Sequence, residues 1–180
     1  MPATHFRIIV IGGGASGYMA AISAKQQRPQ AEVLLLEKSD KWLAKVRISG
    51  GGRCNVTHDC AEPRKLARHY PRGEAFVRKV FAAWGQPQTV AWFAQQGVVL
   101  KIEADGRMFP ITDDSRTVTD ALQSAARSLG VVARLQCPVT QLALKPDGWA
   151  LTTSGEVLLA DRVVVATGGS PKDEGLSWLR

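Results

Sequence analysis

Cysteine is scarce in this chain, and the scarcity limits its possible chemistry. The three cysteines, Cys54, Cys60 and Cys137, are odd in number and lack the spacing of a zinc site. A disulfide framework needs paired cysteines, and a structural zinc site needs ligands in close pairs. We therefore expect three thiols and no bound metal.

Long hydrophobic runs are also absent, although 45% of the 180 residues are hydrophobic. No apolar stretch approaches the roughly 20 residues that cross a bilayer as a helix. The first strand is predicted to begin at Arg7, and no signal-peptide pattern precedes it. The composition therefore predicts one main domain in a cytoplasmic protein.

Acidic residues are outnumbered by basic ones, 16 against 23, which gives a net charge of +7 and a pI near 9.7. A basic chain can bind nucleic acid. The basic residues are scattered, however, and no recognisable nucleic-acid module accompanies them. The sequence favours a small-molecule substrate over nucleic acid or membrane, and it leaves the oligomeric state open.

Glycine, in contrast, is abundant, and its first cluster lies between a predicted strand and a predicted helix. The predicted strand Arg7–Ile11 has an unbroken apolar stretch, residues 8–11, which is typical of a parallel strand covered on both faces. A helix is predicted from Ala15 to about Gln27, and the glycine-rich loop 12–17 joins the two. This order is typical of a unit that binds a dinucleotide.

Each glycine of the first loop meets a different geometric need. Gly12 allows a tight turn, Gly14 allows backbone to approach a pyrophosphate, and Gly17 allows the helix to lie close to the strand. The backbone N–H groups around Ala15 and Ser16 form the positive end of the helix dipole. We expect them to hold an anionic diphosphate.

A second predicted strand, Glu32–Glu37, ends in an acid 20 residues after Gly17. A carboxylate at this position can accept hydrogen bonds from both ribose hydroxyls, which argues against a bound 2′-phosphate. The alternative is a structural strand–helix–strand unit with an empty loop. Basic residues that could attract phosphate follow the strand: Lys38, Lys41, Lys45, Arg47 and Arg53.

A second glycine-rich loop contains three successive glycines, Gly50, Gly51 and Gly52. Such a run is unsuited to the interior of a helix or strand, and it favours close approach of backbone to a ligand. Arg53, Cys54 and Asn55 then offer a cation, a thiol and an amide.

The segment from Ser49 to Thr57 resembles the signature of the YhiN/BaiN-like FAD flavoproteins, which are bacterial NAD(P)/FAD-dependent oxidoreductases. Gly106 to Pro110 is similar to that family's Gly-Arg-Val-Phe-Pro segment, and Ala166 to Gly169 resembles its Ala-Thr-Gly motif. The resemblance implies an α/β, glutathione-reductase-like fold: a Rossmann-like FAD-binding domain with a parallel sheet, a β-meander and a helical insertion at 62–130.

The resemblance also implies site residues, with Glu37 on the ribose and Val139 offering backbone to adenine. Arg53 and Cys54 are weak catalytic candidates, and a packed, unreactive thiol is the alternative for Cys54. The implied cofactor contacts are Gly12, Gly14, Ala15, Ser16, Gly17, Glu37, Lys38, Lys45, Gly51, Gly52, Arg53, Cys54, Asn55, Val139, Ala166, Thr167, Gly168 and Gly169.

The resemblance implies a flavin-dependent oxidoreductase in which hydride passes through FAD from NAD(P)H or substrate. The acceptor would be an organic molecule, such as a conjugated enone, or dioxygen. The family also has a substrate domain and a closing segment that we do not find, so we expect a fragment. Two alternatives stay open: a flavin disulfide reductase using Cys54 and Cys60, and a non-catalytic binding domain.

Helical periodicity predicts an apolar stripe between Phe76 and Trp84, read as core, and a second short helix around Trp92. Val98–Glu103 and Arg107–Phe109 are expected to form a hairpin, with Arg107 in a surface salt bridge or facing the cofactor. A packing helix is predicted from about Ser115.

Four short strands are expected to form a β-meander, and a buried strand follows from Arg162. The meander strands are predicted at Val131–Leu135, Gln141–Lys145, Trp149–Thr153 and Val157–Ala160.

Overall fold

The computed structural model describes residues 6–169 and 173–179, which form two compact units. The first unit contains the residues up to Ala44 together with those from Leu122 onward, and the second unit is Lys45–Ala121. The second unit is therefore one continuous insertion into the first. The sequence places the insertion at 62–130, so the observed division begins and ends earlier.

The helices and strands have the following bounds. The strands are β1 (Arg7–Ile11), β2 (Glu32–Leu36), β3 (Thr57–His58), β4 (Leu100–Ile102), β5 (Arg107–Pro110), β6 (Val132–Arg134), β7 (Val139–Lys145), β8 (Gly148–Thr153), β9 (Val157–Ala160) and β10 (Arg162–Val165). The α-helices are α1 (Ala15–Gln27), α2 (Ala44–Ile48), α3 (Pro63–Ala67), α4 (Glu74–Ala83), α5 (Gln86–Gln95) and α6 (Ser115–Ser128). Two 3-10 segments cover Ser49–Gly52 and Asp173–Leu179.

The first unit is built on a parallel sheet with the strand order β10-β1-β2-β6. Its central strands are apolar on both faces, as the uninterrupted hydrophobic runs predict. Helix α1 packs on β1 and β2 and buries Tyr18, Ala21 and Ile22. The predicted strand–helix–strand unit is confirmed.

An antiparallel meander of β7, β8 and β9 packs on the face of this sheet opposite α1. Ile9, Ile11, Leu34 and Leu36 share one cluster with meander residues. The meander contributes Val139, Leu151, Leu158 and Ala160. The alternation of buried and exposed residues in β9 follows from having one face on this core.

Strand β6 corrects one prediction, because it is not part of the meander. It lies parallel to β2 and pairs Leu34 with Val132 at the edge of the main sheet. Periodicity along the chain identifies a strand but does not identify its partner, so the meander has three strands rather than four.

Strand β10 corrects a second prediction, since its valines are not buried. It pairs only with β1 in the described sheet, and Val165 is 43% exposed. An edge strand has one neighbour instead of two, so the apolar run at residues 163–165 need not be covered.

The second unit contains an antiparallel sheet in the order β3-β5-β4 and the helices α2 to α5. The predicted hairpin is confirmed, with Ile102 opposite Met108. Phe109 is fully buried, and Trp92 and Phe93 of α5 are also buried. No helix among the described residues is long and apolar enough to cross a membrane.

Helix α4 corrects a third prediction, because its apolar stripe is only partly core. Phe76 is 71% exposed, and Val80 and Trp84 are also exposed, whereas Val77 and Phe81 are half-buried. Helical spacing places residues on one face but does not ensure that another element covers that face.

Candidate dinucleotide-binding site

The loop between β1 and α1 turns back tightly at Gly12. The Gly12 N–H donates to the Leu36 carbonyl oxygen at 2.7 Å, and its φ of +113° lies where side chains are strained. A Cβ at this position would lie 2.5 Å from the Ala166 carbonyl oxygen. The turn therefore requires glycine for both backbone conformation and space.

Gly17 lies in the first turn of α1, directly over the loop. A Cβ here would collide with the Gly12 carbonyl oxygen and would also contact Leu35. The predicted close approach of helix and strand is confirmed by this packing, which leaves no room for a methyl group.

Gly14 differs from both, because a Cβ there would have no atom within 4 Å. It precedes α1, whose first intrahelical bond runs from the Tyr18 N–H to the Gly14 carbonyl oxygen at 3.0 Å. The N–H groups before Tyr18 have no intrahelical acceptor, and Ala15 and Ser16 are exposed. The arrangement leaves open space at the positive end of a 13-residue helix.

Gly13 is a residue whose importance sequence reasoning missed, although three consecutive glycines were a visible signal. Its N–H donates to Glu37 Oε2 at 2.7 Å, and its carbonyl oxygen accepts from the Leu43 N–H at 2.9 Å. A Cβ would lie 2.5 Å from the Trp42 ring. Gly13 thus links the loop to the acid after β2.

Glu37 follows the last residue of β2 and is held by three hydrogen bonds. Besides Gly13, the Ser39 N–H and the Ser39 hydroxyl donate to Oε1 at 2.9 and 2.8 Å. Burial acts to raise the pKa of Glu37, but these hydrogen bonds and the charge of Lys38 outweigh it, so the pKa lies below its ordinary value. The carboxylate is charged and oriented beside the glycine loop.

The end of β10 lies at the same edge of the sheet as this loop. The Ala166 N–H donates to the Ile11 carbonyl oxygen at 2.8 Å. Thr167, Gly168 and Gly169 continue from it as exposed backbone, and a Cβ at Gly169 would meet no atom within 4 Å. The carboxyl ends of parallel strands are where α/β sheets bind ligands.

The start of β7 is tied to the segment that carries Glu37. The Cys137 N–H donates to the Glu37 carbonyl oxygen, and the Gln136 N–H donates to that of Ser39, both at 2.9 Å. Val139 follows at the first position of β7 and buries its side chain in the core. Lys38, the residue after Glu37, is exposed. Glu37, Lys38 and Val139, which were predicted to contact the cofactor, belong to the first unit together with the first glycine-rich loop.

The second glycine-rich loop belongs to the second unit, where Gly50, Gly51 and Gly52 all have positive φ. A Cβ on Gly50 would lie 2.6 Å from the Phe109 ring, whereas one on Gly51 or Gly52 would meet no atom within 4 Å. The loop therefore rests on a buried ring and presents bare backbone. Lys45 and Asn55 are exposed in this unit.

Cys54 is packed beneath this loop. It is 6% exposed, and its N–H donates to the Ser49 carbonyl oxygen at 3.0 Å. Burial raises the pKa of the thiol, even though a hydrogen bond with Ser49 acts the other way. A thiol in this state is a poor nucleophile, so the geometry favours the packed, unreactive alternative.

Arg53 is engaged in a network of charges. Its guanidinium pairs with Glu103 at 2.5 Å and Asp113 at 3.5 Å, and lies 4.0 Å from the centre of the Phe109 ring. Arg107 also pairs with Asp105 at 2.7 Å, which is the salt bridge predicted as its alternative. Two carboxylates near Arg53 offset its charge and hold the side chain in place.

Metal ligation has no support in the part of the chain that the structure describes, which contains no group of three acidic, His or Cys residues able to hold an ion. His58 and His69 lie side by side, with ring centres 5.3 Å apart.

A family model for the HI0933-like protein Rossmann domain matches residues 6–174, which is most of the chain. The chain belongs to the HI0933-like family. This match confirms the resemblance read from the sequence motifs and the Rossmann-like fold.

Two relatives of this HI0933-like chain are similar along nearly all of it. A 3-dehydro-bile acid delta(4,6)-reductase from Clostridium scindens is 32% identical over 163 residues, covering 91% of the chain and 39% of the relative. A ribosomal RNA dihydrouridine synthase from Escherichia coli is 29% identical over 165 residues, covering 92% and 40%. The chain thus spans about 40% of the length of these relatives.

Solved structures show the same fold at low sequence identity. A 3-ketosteroid-delta4-(5alpha)-dehydrogenase from Rhodococcus jostii RHA1 has a TM-score of 0.65 and 18% identity, over 93% of the chain and 47% of that protein. THI4 from Thermovibrio ammonificans has a TM-score of 0.59 and 15% identity, over 92% and 59%.

Proposed function

We propose that this chain binds FAD as part of a flavin-dependent oxidoreductase. The observation that carries the proposal is the hydrogen bond from the Gly13 N–H to Glu37, because it fixes a charged ribose acceptor beside the loop. The open space at Gly14 and the helix N-terminus suit a diphosphate. These residues fit the adenosine and diphosphate parts of the cofactor.

FAD, when bound, supplies hydride transfer, with NAD(P)H proposed as the donor. The protein's part is to hold and orient the cofactor. Gly12 and Gly17 fix the loop, Glu37 accepts from the ribose, and the backbone after Ala166 borders the same sheet edge. In the second unit, Gly51 and Gly52 present bare backbone that a ligand can approach without meeting a Cβ.

The proposed reaction is reduction of a carbon–carbon double bond conjugated to a carbonyl group. The names of the two relatives, a 3-dehydro-bile acid delta(4,6)-reductase and a ribosomal RNA dihydrouridine synthase, support a reduction of this kind. In the proposed reaction a hydride adds to the carbon β to the carbonyl, and a proton from water adds to the α carbon. A reduced nicotinamide would supply the hydride and leave as the oxidised form.

A disulfide-reductase mechanism through Cys54 and Cys60 is not favoured by the geometry. Burial and the raised pKa keep Cys54 as a thiol, whereas disulfide exchange needs a reactive thiolate. A thiol titration of the folded chain tests this: Cys54 should react far more slowly than the half-buried Cys60.

The proposed FAD site is tested by adding FAD to the purified chain, removing the excess and recording the visible absorbance spectrum. Gly14→Val should lose bound FAD, because its side chain would fill the space left for the diphosphate. Gly155→Val is the matched control, since Gly155 also has open space around it but lies in the turn between β8 and β9.

The outcomes separate the parts of the site. Retained flavin bands that Gly14→Val alone abolishes support the proposal. Binding of ADP without FAD means that the loop functions and that the flavin half needs residues outside this chain. Equal behaviour of the two variants would contradict the assigned role of the loop.

A further inference from the structure

Segment 38–43 lies against the first glycine-rich loop, within the first unit. It follows Glu37 and carries one large ring, that of Trp42, which is half-buried. A Cβ on Gly13 would lie 2.5 Å from Trp42 Cε3 and 2.9 Å from Glu37 Cβ. The indole ring and the first carbon of the acid side chain therefore press on the same side of Gly13, and only glycine fits between them.

Gly13 is also held by hydrogen bonds at both ends of segment 38–43. Its N–H donates to Glu37 Oε2 at 2.7 Å, just before the segment, and its carbonyl oxygen accepts from the Leu43 N–H at 2.9 Å, at the last residue of the segment. Trp42 directly precedes Leu43, so the ring and this hydrogen bond are joined by one peptide unit. The end of the segment that carries Trp42 therefore sets the position of Gly13 relative to Glu37.

Leu43 adopts a backbone conformation that leucine rarely occupies. Its φ of +56° lies in the left-handed region, and its side chain is only 1% exposed. Strain of this kind persists only where the surrounding contacts fix the backbone, and it is common at ligand clamps. The burial of Leu43 and its bond to Gly13 supply such contacts. The conformation therefore indicates that segment 38–43 is locked in one position beside the loop.

Helix α1 also contacts the Trp42 ring. The Tyr18 ring meets it edge-on, with ring centres 5.8 Å apart, and Tyr18 is 3% exposed. An edge-to-face aromatic pair is attractive beyond the area that it buries. The Tyr18 N–H makes the first intrahelical bond of α1, to the Gly14 carbonyl oxygen. Trp42 is therefore fixed to the same helical turn whose free N–H groups form the proposed diphosphate site.

The contact between Gly13 and Glu37 determines which carboxylate oxygen can meet a ligand. A carboxylate has roughly four acceptor sites. The two Ser39 donors occupy Oε1, and the Gly13 N–H occupies one site on Oε2. The remaining site is on Oε2, so the position of this oxygen decides whether a sugar hydroxyl can bond to it.

We propose that Trp42 is a positioning residue that holds Gly13 against Glu37. It thereby presets the carboxylate oxygen that selects a ribose over a sugar without hydroxyls at C2′ and C3′. The inference rests on the proposed function, and it adds the residue that makes the ribose acceptor selective. Trp42 acts through Gly13 and Glu37 and needs no contact with the ligand itself.

The test compares binding of ADP and of 2′,3′-dideoxy-ADP to the whole chain by isothermal titration calorimetry. The wild-type chain should prefer ADP by about tenfold, which is the usual effect of a hydrogen bond to a charged group. Trp42→Ala should reduce this preference to about twofold, because Oε2 of Glu37 is no longer held in place. Trp42→Phe keeps a ring against Gly13 and should restore most of the preference.

A second measurement needs no ligand: the pKa of the Glu37 carboxyl group, followed by NMR of the side-chain carboxyl carbon as the pH is varied. Burial raises this pKa, but the hydrogen bonds from Ser39 and Gly13 and the charge of Lys38 outweigh burial and hold it below its ordinary value of 4.5. Trp42→Ala should raise the pKa toward 4.5, because the Gly13 donor is lost while Ser39 and Lys38 stay. A ring that only packs would change stability without moving this pKa.

Trp149→Ala is the matched control. Trp149 is also half-buried, lies in β8 of the same unit and packs against the hydrophobic cluster shared by the sheet and the meander. The variant should lower the unfolding midpoint but leave the preference for ADP and the pKa of Glu37 unchanged. If Trp42→Ala does not fold, Trp42→Leu, which keeps an apolar side chain without a ring, takes its place with the same expected results.

Three results would overturn the inference: an unchanged preference for ADP in Trp42→Ala, an unchanged pKa of Glu37 in that variant, or the same changes in Trp149→Ala. A wild-type chain that binds neither nucleotide would instead contradict the proposed function. In that case the NMR titration, which is made without ligand, still decides whether Trp42 positions Glu37.

Discussion

At the scale of single residues, the site depends on contacts that leave no room for an added methyl group. Gly17 is in a helix, where alanine is normally better by about 1 kcal/mol. Its Cβ would nevertheless collide with the Gly12 carbonyl oxygen. Helix propensity therefore predicts that Gly17→Ala stabilises the chain, whereas packing predicts that it destabilises the chain.

Gly17→Ala should destabilise the chain by about 1–3 kcal/mol, the usual cost of overpacking, in spite of its better helix propensity. Urea unfolding measures the change. Gly155→Ala, where nothing lies within 4 Å, should stay within about 0.5 kcal/mol. A stabilised Gly17→Ala would show that α1 does not press on the loop.

Glu37→Gln tests the carboxylate, whose three N–H and O–H donors an amide cannot match. We expect a loss of about 1–2 kcal/mol at pH 7, since hydrogen bonds to a charged group are lost. The exposed Glu74→Gln should cost less than about 0.5 kcal/mol.

The same variant predicts a pH dependence. The folded pKa of Glu37 lies below its ordinary value of 4.5, so its stabilisation is present above pH 4.5 and is lost as pH falls through the folded pKa. The gap in unfolding free energy between wild type and Glu37→Gln should therefore be constant near neutrality and shrink in acid. A gap that grew in acid would contradict the assignment.

At the scale of elements, α4 and α5 are helices of the same length with aromatic side chains, but their aromatic rings differ in burial. Both helices have ten residues and both present aromatic side chains. Phe76 of α4 is 71% exposed and Phe93 of α5 is 7% exposed. The pattern in the sequence predicts helices but not which one another element covers.

Phe93→Ala should destabilise the chain by about 3–5 kcal/mol, and Phe76→Ala should change it by less than about 0.5 kcal/mol. The two variants control for each other, since the same atoms are removed from helices of equal length. Urea unfolding measures both. Comparable losses would place Phe76 in a core, against the exposure described above.

At the scale of the whole molecule, ligand binding should raise the free energy of unfolding of the chain. ADP at 100 times its dissociation constant should add about 2.7 kcal/mol to the free energy of unfolding. Adenosine 2′,5′-bisphosphate should add much less at the same concentration, because in the proposed ribose site the charged Glu37 would repel the 2′-phosphate. Equal stabilisation by both ligands would argue against ribose binding by Glu37.

The strand–helix–strand unit could be predicted from sequence because its determinants are local. Apolar runs specify β1 and β2, helical spacing specifies α1, and three glycines, residues 12–14, form the turn between β1 and α1. These interactions join residues close in the chain, so the pattern of residue types was sufficient. The second glycine-rich loop was visible for the same reason.

Long-range pairing was decided only by the tertiary structure. The sequence alone did not pair β6 with β2 or place β10 at an edge. It also did not show that Arg53 meets Glu103, 50 residues away, or that Gly13 binds Glu37 across a helix. A sequence pattern states what each segment prefers, whereas burial, charge compensation and strand partners depend on which segments the folded chain brings into contact.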